Sequence, residues 1–218
     1  MKISLKEILK TSWKQVKKNF KFLLPFFLGI SIVSVILGWN GSDDMFSAFS
    51  IASILVSPIL YYLTTKVSLK ISKDEKVGWK DLFSDFNQKI YLSFLAVSIF
   101  INIAIIILGA IGVFVGISIP LVGPFVFLVF FLALFIFFMG VILFSYYRLV
   151  DIESDFWKAI KDSFALAKGN RLFLIKFMIV AFLLNLLGVL LLGIGLLVTF
   201  PITSIAIAHI YNKIKIKN

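Results

Sequence analysis

The 218-residue chain has no cysteine, a single histidine and few charged residues, which make up 15% of it. The absence of cysteine excludes a disulfide scaffold. A soluble domain carries roughly 25% charged and about 45–50% apolar residues, whereas 61% of this chain is hydrophobic and its mean hydropathy is +1.05. The composition therefore excludes a soluble globular protein and a disordered chain, and it predicts a protein that crosses a membrane several times.

The basic residues fall into four clusters separated by apolar tracts. The clusters lie within 2–21, 66–89, 148–176 and 213–217, and the tracts are 22–65, 90–147 and 177–212. Each tract is too long for one membrane helix of about 20 residues and suits a hairpin of two. With three hairpins all four clusters lie on one side of the membrane, and the positive-inside rule places that side in the cytoplasm.

We therefore predict an all-α, six-span protein of the cytoplasmic membrane, forming one domain over residues 1–218 with both termini in the cytoplasm. The predicted spans are 21–39, 46–71, 90–116, 121–147, 172–194 and 197–212, and span 6, which contains Pro201, is the weakest. The polar first 20 residues indicate an uncleaved N-terminus rather than a signal peptide. Because the net charge of +11 sits beside the membrane, we expect it to attract anionic lipid, not nucleic acid.

The cytoplasmic segments have the pattern of amphipathic helices, with apolar and aromatic residues on one face and lysine on the other. This pattern is typical of a helix in the headgroup plane, and it equally fits a helix packed on the inner ends of the bundle. The unit of amphipathic helix, span, short turn and span recurs three times, which predicts a pseudo-threefold bundle of parallel repeats. Residues 12–19 align with 163–170, and Lys66, Arg148 and His209 stand eight residues after Pro58, Gly140 and Pro201.

Three stretches resemble a known family. Residues 76–86 look like its first inner loop, residues 159–170 look like its Ser-x-x-Leu-x-x-Gly loop, and Gly193-Ile194-Gly195 with Pro201 and Tyr211 look like its closing pattern. On these motifs residues 60–212 resemble the multi-pass membrane family called domain of unknown function 975, which is related to the membrane domain of some glycerophosphodiester phosphodiesterases. The chain departs from the family at Pro120-Leu121-Val122-Gly123, where the family has Pro-Gly. The resemblance implies a fold and a bacterial or archaeal cytoplasmic membrane, and it implies no activity.

Residues that would carry chemistry are scarce. No Asp or Glu lies inside a predicted span, which argues against proton relays and many ion-coupled carriers. One histidine without cysteine cannot supply a zinc site, and no Gly-rich phosphate loop is present. We predict no metal, no cofactor and no catalytic residue. An enzyme acting on lipid is the lowest-ranked reading, and it would use Asp151, Glu153, Asp155 or His209.

Five polar residues remain as candidates for function. Asn102 and Asn185 occupy similar places in spans 3 and 5, where they would either line a polar path or clamp helices together. Lys66, Arg148 and His209 would either gate an inner mouth or snorkel to lipid headgroups. Two functions stay open on this basis. The first is a non-enzymatic accessory or organising protein that binds a membrane partner or anionic lipid. The alternative is a permease or exporter of a small amphiphilic or apolar molecule.

Overall fold

A computed structural model describes residues 4–38, 48–118, 125, 144–152, 155–191 and 193–217. The regular secondary structure of these residues is helical, without strands, as the sequence predicts. The helices are α1 (Leu5–Lys18), α2 (Phe20–Gly38), α3 (Ala48–Ser72), α4 (Gln88–Ser118), α5 (144–152), α6 (Phe156–Ala167), α7 (Arg171–Leu190) and α8 (Leu196–Lys217), with a 3-10 turn at Trp79–Asp81.

Four of the described helices are long and apolar enough to cross a membrane, namely α2, α3, α4 and α7. They coincide with the predicted spans 1, 2, 3 and 5. Helices α2, α4 and α7 expose many of their large apolar side chains. A helix surrounded by lipid has no reason to hide such side chains, because the lipid chains are equally apolar.

Predicted spans 4 and 6 do not coincide with any of these four helices. Span 4 lies largely outside the described residues, and the first two predicted outer turns, near 39–42 and 119–124, lie entirely outside them. Span 6 falls within α8, which is not one of the four apolar helices. Yet α8 is a central helix, packed against α1, α2, α3 and α7. Its buried side chains include Ile202, Thr203, Ser204, Ile205, Ala206, Ala208, Ile210, Tyr211 and Ile214.

The chain turns between α7 and α8 at Gly193, where the sequence predicts a turn. Gly193 has φ +75°, in the left-handed region that glycine adopts without strain. Beyond the turn, α7 and α8 approach so closely that a Cβ on Gly195 would lie 2.8 Å from the backbone of Gly188. The two glycines therefore set the contact between the last two helices.

Helices α1 and α6 each bury one face in the bundle. Ser4 caps α1 by accepting a bond from the Glu7 backbone N–H, and α1 packs mainly on α8, while α6 packs on α4 and α8. The buried faces consist of Ile8, Ser12, Gln15 and Val16 in α1 and of Ala159, Ile160, Ser163, Leu166 and Ala167 in α6. Packing on the bundle, one of the two predicted roles of these helices, is thus present.

The prediction of an amphipathic helix in the second inner segment is wrong. The chain between α3 and α4 is an irregular connection over 73–87 with only a 3-10 turn. Asp74 leaves α3 in the left-handed conformation with φ 58°, and the Gly78 N–H bonds to Asp81 Oδ2 at 3.2 Å. Asp tolerates that conformation better than most residues, and local bonds of this kind compete with helix formation.

Equivalent positions recur along the chain with similar environments. An asparagine precedes α2, α4 and α7, and in each case its carbonyl accepts a 3.0 Å bond from the N–H four residues later. A phenylalanine seven residues after each asparagine is buried. The residues are Asn19, Asn87 and Asn170, followed by Phe26, Phe94 and Phe177. Likewise Ser12 and Ser163, which the sequence alignment pairs, are both fully buried.

Candidate functional site at the polar end of the bundle

The C-terminal ends of α3, α5 and α8 meet α1, the 73–87 connection and α6 in several clusters of hydrogen bonds, which together we call the polar end. Most of its charged and polar side chains come from segments far apart in sequence. It contains three of the five candidate residues.

Lys66 is a buried lysine on α3. Its ammonium lies 2.9 Å from Asp85 Oδ2, and it donates to Ser84 Oγ at 3.0 Å and to the Tyr62 hydroxyl at 3.1 Å. The lysine side chain is 5% exposed, whereas the Asp85 side chain is 63% exposed. The bond from Lys66 holds the pKa of the Asp85 carboxyl below its usual value. The structure thus buries the lysine ammonium and pairs it with a carboxylate that is exposed to solvent.

Arg148 on α5 forms an ion pair with Asp162 of α6, and both side chains are largely shielded from solvent. The Nε atom of Arg148 is buried and has no partner among the described residues. A buried guanidinium needs its pair because an isolated charge there is costly. This pair therefore fastens α6 to the end of α5.

His209 on α8 joins α1 through a glutamine. The buried Gln15 donates from Nε2 to Asp74 Oδ1 at 3.2 Å, which leaves its Oε1 to accept from His209 Nε2 at 2.7 Å. His209 and Gln15 are separated by 194 positions in sequence. The chain of bonds links α8, α1 and Asp74, the second residue after the end of α3.

The three basic candidates share one arrangement. Lys66 bonds to the inner segment that follows its helix, and Arg148 does the same. His209, on the last helix, bonds to the first inner segment, α1. The pattern of contacts is therefore cyclic. These bonds tie each residue to the protein itself, and they leave the predicted gating and headgroup roles as predictions.

The centre of the polar end is Asp151, which sequence reasoning weighed only as a remote catalytic candidate. Its side chain is 6% exposed. It accepts from the Tyr211 hydroxyl at 2.8 Å and from Lys73 at 3.1 Å, and it also pairs with Lys215. Burial by itself would raise the pKa of this carboxyl, but the bonds from Lys215, Tyr211 and Lys73 outweigh it and lower the pKa. One carboxylate thus joins the ends of α3, α5 and α8.

Among the other acids considered for catalysis, Asp155 is exposed and pairs with Lys89 at 3.3 Å. Glu153 lies outside the described residues. The only sequence sign of Asp151's role is its place three residues after Arg148 in a basic cluster. Its three partners are distant in sequence, so no local pattern reveals them.

The structure ties the two asparagines to different partners. Asn102 is exposed on α4 and donates to the Ser98 carbonyl of its own helix at 2.8 Å. Asn185 on α7 donates to the Ala181 carbonyl at 3.0 Å and to Thr203 Oγ1 of α8 at 3.4 Å. Asn185 therefore bridges two helices, as the clamp interpretation expects, while Asn102 makes no such bridge in the described part of the chain.

The surface around the polar end carries exposed lysines and tryptophans. Each of the three inner segments exposes one tryptophan, namely Trp13, Trp79 and Trp157. Every lysine of α1 is exposed as well. Tryptophan favours the boundary between membrane and water, and lysine favours anionic headgroups.

No protein-family model matches the chain, and no curated protein or solved structure matches it. The resemblance to the family of multi-pass membrane proteins therefore stays a prediction.

Proposed function

We propose that this chain is a non-enzymatic protein of the cytoplasmic membrane that serves as an accessory or organising component. It has six spans and cytoplasmic termini, and it binds anionic lipid or a membrane partner. Four apolar helices support the membrane location. The concentration of basic residues on the segments between the hairpins supports the orientation.

One observation carries the proposal, namely the contrast between the inside and the surface of the polar end. The buried charged groups Lys66, Arg148 and Asp151 are bonded to other residues of the same chain. A carboxylate that accepts three donors is poorly placed to act as a base or nucleophile, because reaction would first have to break those bonds. The lysines and tryptophans around the end, by contrast, are exposed. The site thus offers a rigid platform with a basic, aromatic rim.

We further infer a pseudo-threefold repeat of helix hairpins. Its support is the recurrence of the same asparagine bond and buried phenylalanine at the start of α2, α4 and α7. The cyclic order of the bonds made by Lys66, Arg148 and His209 gives independent support. A parallel repeat of this kind places equivalent inner segments on one side of the membrane.

The orientation has a direct test, because a chain without cysteine accepts single reporter cysteines. Ser42→Cys, in the first predicted outer turn, should react with an impermeant maleimide added to intact cells. Lys161→Cys should react only after the cells are opened. The reverse result would overturn the proposed topology.

The organising role is tested by extracting the protein in native lipid discs and identifying what co-purifies. The proposal expects a stoichiometric membrane protein or an enrichment of anionic lipid over the bulk membrane. Detergent-extracted protein of equal amount gives the control for adventitious binding. Recovery with neither a partner nor enriched anionic lipid would refute it.

A permease is the second candidate, favoured by the exposed amide of Asn102 on α4. An amide facing lipid is unfavourable unless something bonds to it. Flux of an amphiphile panel from proteoliposomes should then fall in Asn102→Leu and stay unchanged in Ser98→Ala, which preserves the Ser98 carbonyl that Asn102 uses. Absence of flux across the panel would exclude this reading.

A further inference from the structure

The outer side of α1 carries one straight row of exposed side chains. Lys6, Lys10, Trp13 and Lys17 follow one another at intervals of four, three and four residues, which places them on a single strip of the helix. At 1.5 Å per residue the strip is about 16 Å long. It lies away from the face of α1 that is buried against the bundle.

The row combines two side chains that favour the membrane boundary. The Lys17 ammonium lies 4.8 Å from the centre of the Trp13 ring, so a cation and an indole occupy the same spot on the surface. Trp13 is 40% exposed, although it belongs to a helix with a buried face. An indole is suited to the glycerol region, and the ammonium beside it is suited to a phosphate.

The position of α1 in the chain brings this row to the membrane surface. Helix α1 ends at Lys18 and α2 begins at Phe20, so one residue separates the row's helix from a helix apolar enough to cross a membrane. Phe20, three residues beyond Lys17, is itself an exposed aromatic. The C-terminal end of the row therefore lies at the level where α2 enters the bilayer.

The row lysines keep their charge available to a ligand. Within the described part of the chain no ion pair involves Lys6, Lys10 or Lys17, whereas Lys18, off the row, lies 3.9 Å from Asp74. The one acid of α1, Glu7, is also off the row. Three unneutralised ammonium groups along one strip complement a line of negative headgroups.

We propose that the row Lys6–Lys10–Trp13–Lys17 is a binding strip for anionic phospholipid of the leaflet that surrounds the polar end. The lysines contact headgroup phosphates, and Trp13 inserts beside the glycerol backbone. The proposal deepens the proposed function and rests on its membrane location, but it assigns lipid binding to one strip of α1 rather than to the whole basic surface.

The test uses the fluorescence of Trp13 in the full-length chain. The other three tryptophans, Trp39, Trp79 and Trp157, are replaced by phenylalanine, and the protein is placed in lipid discs of phosphatidylglycerol and phosphatidylcholine. Two disc preparations have the same composition, with bromine on the acyl chains of either the anionic or the zwitterionic lipid. Bromine quenches only a tryptophan in contact with it, so the ratio of the two quenching efficiencies, each per mole of brominated lipid, reports the lipid beside Trp13.

The strip predicts that brominated phosphatidylglycerol quenches Trp13 severalfold more than brominated phosphatidylcholine. Each lysine near an anionic surface strengthens binding to that surface by about fivefold. The variant K6Q/K10Q/K17Q should therefore show a preference for the anionic lipid that is at least about fivefold smaller. K14Q/K18Q/K21Q, which removes three exposed lysines outside the row, should keep it, and so should K6R/K10R/K17R. In the unsubstituted lysine background the preference should fall as salt is added.

Equal quenching by the two lipids would overturn the proposal, and so would an equal loss in the row and off-row variants. Absence of quenching by either lipid would also overturn the proposal, because α1 would then be out of reach of the bilayer. The salt series does not require any lysine variant to fold. A preference for the anionic lipid that does not change with salt would therefore refute the proposed strip by itself. Failure here with the topology intact defeats only the strip, whereas a reversed cysteine labelling pattern defeats the proposed location.

Discussion

Replacing Asp151 by alanine removes the acceptor at which three helix ends meet. The carboxylate receives bonds from Tyr211, Lys73 and Lys215. In the variant none of these donors has its acceptor. We expect the helices to keep their spans, since the change lies at one end of the bundle, but we expect the packed state to lose stability.

The size of that loss follows from the burial of each donor. Tyr211 is fully buried, and an unpaired buried hydroxyl costs about 1–3 kcal/mol. Lys73 and Lys215 are 42% and 39% exposed, so they can turn into water, and each exposed pair is worth about 0.2–1 kcal/mol. Together Asp151→Ala should lower the free energy of unfolding by about 1.5–5 kcal/mol.

The assay is denaturant-induced unfolding in mixed micelles at pH 7, followed by circular dichroism. Tyr211→Phe should cost about 1–2 kcal/mol, because it removes one charge-assisted bond. The double variant should cost less than the two single changes added together, since both remove that same bond. Asp155→Ala is the matched control: its side chain is exposed and makes no capping bond, so stability should barely change. A loss below about 1 kcal/mol for Asp151→Ala, or one no larger than the control's, would refute the assignment of Asp151 as the junction.

Three further expectations concern the pH dependence of the Asp151 junction, the Lys66–Asp85 pair and the glycine contact between α7 and α8. The pKa of Asp151 is lowered in the folded protein. Its stabilising effect is therefore complete above the ordinary aspartate pKa of about 3.9 and is lost as pH falls through the lower folded value. The difference in unfolding free energy between the parent and Asp151→Asn should stay constant from pH 7 to about pH 5 and close only below about pH 4. Asp85→Asn should destabilise more than Lys66→Met, because the first leaves a buried ammonium without its counter-charge while the second leaves an exposed carboxylate in water; unfolding midpoints in the opposite order would contradict this. Gly195→Ala should lower the melting temperature, since its Cβ would meet the backbone of α7 at 2.8 Å, whereas Gly109→Ala, with nothing within 4 Å, should be tolerated; equal melting temperatures would show that the close contact is absent.

The helices could be predicted because the physical cause lies within each segment. A backbone in lipid must satisfy its hydrogen bonds internally, so an apolar run long enough to span the membrane becomes a helix wherever it packs. For this reason α2, α3, α4 and α7 lie where the hydropathy places them. The second inner segment is not helical because Asp74 adopts a left-handed conformation and the Asp81 side chain bonds to the backbone N–H of Gly78. The spacing of apolar residues in an amphipathic pattern does not reveal either feature.

Predicting the candidate site was harder, as the case of α8 shows. Its shortness and Pro201 made it the weakest predicted span, yet α8 is a central helix whose polar side chains are bonded to neighbouring helices. Tyr211 finds Asp151, and His209 finds Gln15. A central helix tolerates polar side chains because neighbouring helices supply their hydrogen-bond partners. Hydropathy alone cannot distinguish such a helix from one that is too polar to span the membrane.

The sequence by itself determined the helical architecture of the described residues, the four apolar helices and the clustering of basic residues between apolar tracts, since each depends on residue type and local spacing. Only the tertiary structure decided that α8 is central, that Asp151 joins three helix ends and that α1 closes the cycle against α8. These contacts join residues as far as 194 positions apart. Which polar side chains meet is set by how the helices pack, and a periodic pattern within one helix reports the face that is buried but not the partner that covers it.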